Sequence, residues 1–110
     1  MNVYDEVNNL AKALKECLEY KEYKEIKEKV KTVPDLKEKI DEFEKIRYEE
    51  QVLAIQGEEM SEEKMKKLQQ LYEILVKNPD VKKYFDMEVR FNVMMADVNK
   101  IIGEAIKDVL

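Results

Sequence analysis

The chain has no histidine and a single cysteine, and only two glycines and two prolines interrupt its 110 residues. Without histidine, a histidine general base, a Ser/His/Asp or Cys/His nucleophile and the common zinc sites all fall away. Four-helix di-iron sites, which are built on Glu-x-x-His pairs, fall with them. The two glycines, Gly57 and Gly103, are isolated and form no phosphate-cradling loop. Cys17 has no partner in the sequence, so an internal disulfide is impossible and a four-thiolate metal site would need several chains. No stretch approaches the roughly 20 apolar residues that cross a bilayer, and the opening MNVYDEVNN has neither the basic nor the apolar region of a secretion signal. A cytoplasmic protein without a membrane partner is expected.

What is present is charge and apolar surface in helical rhythm. Charged residues make up 41% of the chain and hydrophobic ones 45%, a composition close to that of long helices and coiled coils. The 25 acidic and 20 basic side chains alternate, for a net charge of −5, so no field of one sign builds up. Nucleic acid, which needs clustered Lys and Arg, is not an expected partner. The acidic excess between Pro34 and Gly57 reads as a solvated face. Adjacent carboxylates such as Glu49 with Glu50, or Glu58 with Glu59, diverge by about 100 degrees on a helix and cannot share one proton or metal. No catalytic, cofactor-binding or metal-ligating residue is assigned. The protein is read as a non-enzyme that carries no cofactor.

One domain, 1–110, built only of helices is expected. Val3, Val7, Leu10, Leu14 and Cys17 step by three and four, which predicts a core-facing first helix with Cys17 buried and unreactive. Continuing that phase lands on Lys21, Lys24 and Glu28, while the apolar positions move to Tyr20, Tyr23, Ile26 and Val30; a break or kink is expected near Cys17 to Glu19. Pro34 opens the next helix, with Leu36, Ile40, Phe43 and Ile46 on its stripe, and a left-handed cap at Gly57 closes it. Ser61 caps the following helix, with Met60 and Met65 at the spacing of a hydrophobic staple. The last begins at Asn78-Pro79, repeating the helix-start chemistry of Val33-Pro34.

From Val81 to Ile106 the apolar residues of that last helix cover more than half its circumference, so burial on two sides is expected. Unbroken from Pro79 to Asp108 it would be about 45 Å long. A compact chain of this size has a radius of gyration of about 13 Å, hence a diameter near 34 Å. The end should protrude and need another chain to cover it, through Phe91, Met94, Met95, Val98 and Ile102. Antiparallel pairing of this helix would be self-complementary about a two-fold axis, which makes a homodimer the expected state. Met94 and Met95 lie within this apolar helix, where a core role is expected of them before that of an adaptable binding surface.

The opening NVYDEVNNLAKALKECLEYKEYKEIKEKVK, the helix start PDLKEKIDEF, the turn QGEEMSEEKMKKL and the final EVRFNVMMADVNKIIGEAI, in that order and spacing, resemble the YlbF/YmcA/YheA family of small bacterial proteins. The resemblance covers essentially the whole chain, with the family's turn glycine at Gly57 and its early helix break at Cys17 to Tyr20. It implies a partly open bundle of four to five helices with a long C-terminal helix, dimeric. It also implies a noncatalytic adaptor or regulator of competence, sporulation and biofilm formation that works through protein–protein contacts. The alternative it carries is an RNA-processing or iron-sulfur-cluster binding module, competent only in a multi-chain assembly. YlbF-like chains can carry a cysteine-rich tail that is not in this sequence, so the likeness is nearest to tail-less YheA-like members.

Overall fold

The computed structural model describes residues 1–110 as five α-helices and a closing 3-10 turn: α1 (Val3–Glu16), α2 (Leu18–Lys31), α3 (Pro34–Ile55), α4 (Glu62–Leu75), α5 (Pro79–Ile106) and Lys107–Val109. Each boundary has a local cause. Asn2 caps α1 by accepting from the amides of Tyr4 at 2.8 Å and Asp5 at 3.3 Å. Cys17, extended at φ −72° and ψ 155°, ends α1 and caps α2, its Sγ accepting from the Tyr20 amide at 3.5 Å. The helix breaks where the apolar phase shifts. Val33 is extended ahead of Pro34, as the proline ring requires, and offers no side-chain cap.

The end of α3 is a Schellman motif. Gly57 stands at φ +75°, the Glu58 amide donates to the Leu53 carbonyl at 2.9 Å and the Gly57 amide to that of Ala54 at 3.1 Å. Ser61 then caps α4, and Asn78 caps α5 by accepting from Asp80 and Val81 amides at 2.9 and 3.3 Å. Of the residues at staple spacing, Met60 is buried while Met65 stays exposed.

Helix α2 runs antiparallel to α5, in a register fixed by Lys29 with Asp80, Tyr23 with Tyr84 and Tyr20 with Phe91. The hairpin of α3 and α4 closes over the first half of α5, with Phe43, Tyr72 and Phe85 in one aromatic cluster whose ring centroids lie 5.3 to 6.1 Å apart. Ile26, Val30, Ile40, Leu75, Val81, Tyr84 and Met87 complete this core.

Two expectations are corrected here. Helix α1 does not face a core of its own chain: none of its residues is buried, and exposure falls only from 74% at Val3 through 55% at Val7 to 36% at Leu10 before Leu14 and Cys17 become half-buried. Helix α5 is not buried on two sides along its length. Its enclosed residues, Val81, Tyr84, Phe85 and Met87, all lie in the first third, and every residue past Val98 is exposed. The helices extend beyond what four of them can cover, giving a flat shape of 51 × 35 × 16 Å with a radius of gyration of 17.5 Å. The long, protruding last helix is therefore present as the pattern predicted.

Candidate interaction surface

Charged groups inside the bundle are spent on holding it together. Glu88 on α5 accepts a bidentate pair from Arg47 on α3, at 2.7 and 3.1 Å, and a third bond from the Tyr23 hydroxyl of α2 at 3.4 Å. One residue row away, the Tyr84 hydroxyl donates to Glu44 at 2.7 Å, and Lys31 approaches the same carboxylate at 3.6 Å. Three helices are thus tied by a polar seam beside the aromatic core. Burial, then the hydrogen bond to Glu44, pushes the Tyr84 phenol far above its ordinary range. Burial and then the Glu88 charge push Tyr23 upward as well. The Glu88 hydrogen bond holds the Arg47 proton more firmly still. At the surface, hydrogen bonds from Lys31 and Lys37 hold Asp41 below the usual carboxylate range.

Sequence reasoning took the acidic excess between Pro34 and Gly57, Glu44 included, for a solvated face and singled out neither Arg47 nor Glu88. One signal was available: Arg47 is one of two arginines in a strongly lysine-rich chain, directly after the core residue Ile46, where a planar fork suits a partly buried carboxylate. No buried side-chain polar atom lacks a partner, and no three residues of the His, Cys, Asp and Glu types stand close enough to hold a metal ion. An open groove of about 680 Å³ lies between α3 and α4, floored by Phe43, Leu68 and Tyr72. No helix is long and apolar enough to cross a membrane.

Apolar surface is left over along α1 and the end of α5, and also at Tyr48, Ile55, Met65, Tyr72, Ile74 and Val89. Of the five residues assigned from sequence to a dimer interface, Phe91 packs against Tyr23 and Tyr20 of its own chain, at centroid distances of 5.5 and 6.3 Å. Met94 places its sulfur 3.9 Å from that of Cys17, whose thiol donates to the Leu14 carbonyl at 3.0 Å. Met95 and Val98 are half-buried, and Ile102 is 47% exposed. The five share one stripe that is covered at its start and opens progressively. Cys17 is half-buried, less enclosed than the sequence pattern predicted, because only α5 and the end of α1 reach it. Past Cys17 both terminal helices leave apolar residues uncovered, Val3, Tyr4 and Val7 on α1 and Ile101, Ile102 and Ile106 on α5.

This chain matches a family model described as control of competence regulator ComK, YlbF/YmcA, over residues 3–107. Among curated proteins it is 38% identical over 104 residues to a UPF0342 protein of Symbiobacterium thermophilum, covering 94% of this chain and 93% of that one. A UPF0342 protein of Caldicellulosiruptor bescii is 40% identical over 106 residues, 96% of this chain and 89% of the relative. One of Clostridium novyi is 38% identical over 108 residues, 98% and 95%. The match spans all five helices, the break at Cys17 and the Gly57 turn included, and the chain therefore belongs to the YlbF/YmcA family.

Proposed function

We propose that this protein is a noncatalytic regulatory adaptor of the bacterial cytoplasm. It works as a homodimer through Phe91, Met94, Met95, Val98 and Ile102, and it binds other proteins by helical faces in the control of competence, sporulation and biofilm formation. The observation that carries the reading is the division of side-chain labour: polar groups inside the bundle are paired with one another, while large apolar groups on helix faces stand without cover. Paired carboxylates and a paired guanidinium hold a scaffold in shape; uncovered helix faces are where a second protein gains from docking. Membership in a competence-control family supports the regulatory role.

Affinity capture of the tagged chain from a competent relative of the source lineage, with in-cell cross-linking, tests this. One or a few specific proteins should be recovered in constant ratio. Recovery of none, or melting-temperature increases with a micromolar metabolite, would overturn it, because tight small-molecule binding requires a formed pocket. Iron-bearing protein after anaerobic purification would equally count against it.

A further inference from the structure

The groove between α3 and α4 is apolar at one end and acidic at the other. Its floor is Phe43 of α3 with Met65, Leu68 and Tyr72 of α4, the last three stepping by three and four along one helix face. Met65 and Tyr72 remain 44% and 47% exposed, so about two turns of α4 face a hollow of about 680 Å³ that no element of the chain fills. Toward the Gly57 turn the lining becomes acidic, with Glu50 on α3 and Glu62 on α4. Neither is in an ion pair, whereas Glu49 and Glu42 hold Lys64 and Lys67 at 2.9 and 2.6 Å. Lys66 is the one cation of the lining. Residues 48–63, which run from α3 through the turn to the start of α4, carry six glutamates and no Lys or Arg. The other residues hold 19 acidic side chains against all 20 basic ones, so the whole negative excess of the chain lies at this end.

We propose that this groove seats a basic amphipathic helix of a partner protein. The apolar residues of that helix, at i, i+3 or i+4 and i+7, lie on Phe43, Met65, Leu68 and Tyr72, and its Lys or Arg side chains lie over Glu50 and Glu62. The inference rests on the adaptor reading and deepens it, by naming one face and the chemistry of what that face binds. A helix fits because the walls are themselves two antiparallel helices, Glu49 facing Lys64 and Phe43 facing Tyr72, and a third laid along them sets its ridges in the hollow between. Basic charge fits because carboxylates without a partner, beside an apolar floor, attract a cation and reject an acidic segment. A second copy of this chain fits poorly: α1 and residues 97–108, which have uncovered apolar groups, each carry three acidic and two basic side chains.

Fluorescence anisotropy on the full chain tests the chemistry, with a labelled synthetic helix of leucine and lysine in that spacing and the same peptide with glutamate in place of lysine. The lysine peptide should bind and the glutamate peptide should not, and the affinity should fall as salt rises. Met65→Lys and the double variant Glu50→Lys, Glu62→Lys should each weaken binding about tenfold, with circular dichroism as the check on folding. Ile74→Lys, half a revolution around α4, should change it less than about twofold, and so should Glu16→Lys with Glu28→Lys, an equal change of net charge away from the groove. In cells, a photo-cross-linking residue at position 65 should attach to a net-basic segment with apolar residues three and four apart. No binding of the lysine peptide, an equal loss in the distant charge variant, or attachment at position 65 to an acidic segment, a second copy of this chain or nucleic acid would overturn the proposal. The adaptor reading fails on a different result, the absence of captured proteins; partners that are captured but cross-link from position 74 and not from 65 refute the groove and leave that reading intact.

Discussion

Tyr84 shows how much of the bundle hangs on single polar contacts at its centre. Its ring is among the most enclosed groups in the chain, and its hydroxyl spans from α5 to Glu44 on α3. Because burial and Glu44 both favour the protonated phenol, the folded chain binds that proton more tightly than the unfolded one, whose tyrosines titrate near pH 10. The contribution is fully present below pH 10 and is lost as pH rises through 10 and beyond. Tyr23 acts in the same direction. Urea midpoints should therefore hold level between about pH 7 and 9 and fall above pH 10. Tyr84→Phe should cost about 1 kcal/mol at neutral pH and should make that alkaline fall shallower. An unchanged alkaline slope in Tyr84→Phe would mean that the loss arises elsewhere. The phenylalanine keeps the stacking on Tyr23 and Phe85, so the difference isolates the hydroxyl. The aromatic positions were legible in the apolar pattern. Glu44, Arg47 and Glu88 were not, since a charged residue looks the same in sequence whether it faces water or a partner about forty positions away.

Helix boundaries were the most legible features because their chemistry is local. Proline at a first helical position, Ser61 and Asn78 as caps, and glycine after α3 each act on backbone groups within a few residues. The two proline starts differ in one testable respect. Asn78 satisfies two otherwise orphaned amides, while Val33 satisfies none through its side chain. Asn78→Ala should cost about 1 kcal/mol, and Val33→Asn should return a fraction of that amount, both read from denaturant unfolding. Gly57→Ala should also cost about 1 kcal/mol, purely from backbone strain at φ +75°, because a methyl group there meets nothing within 4 Å. A substantially larger loss would reveal a contact that Gly57 makes outside its own chain. The reading of α1 went astray for a reason that is equally physical. An apolar stripe records that a face needs cover, and it does not record which chain provides it.

At the scale of the whole molecule, the chain divides into a central core and two sparsely covered segments, α1 and the end of α5, that should differ in how they open. Helix α2, the first half of α5 and the middle of α3 surround the nine-residue core cluster, so their slowest amides should exchange only through global unfolding. No residue of helix α1 is fully buried within its own subunit, and α5 past Val98 has exposed residues only. Amides there should open at a small fraction of the global free energy in an isolated chain. If a second copy covers these segments, their protection becomes a matter of mass action: hydrogen exchange in α1 and residues 99–106 should slow as chain concentration rises through the dissociation constant. Core amides should gain protection only by the amount that dimerisation adds to global stability. The expected profile therefore has two steps along the sequence, one at Cys17 and one near Val98. Concentration-independent exchange in α1, at any dilution that spans the measured dimer equilibrium, would show that the second copy sits somewhere else.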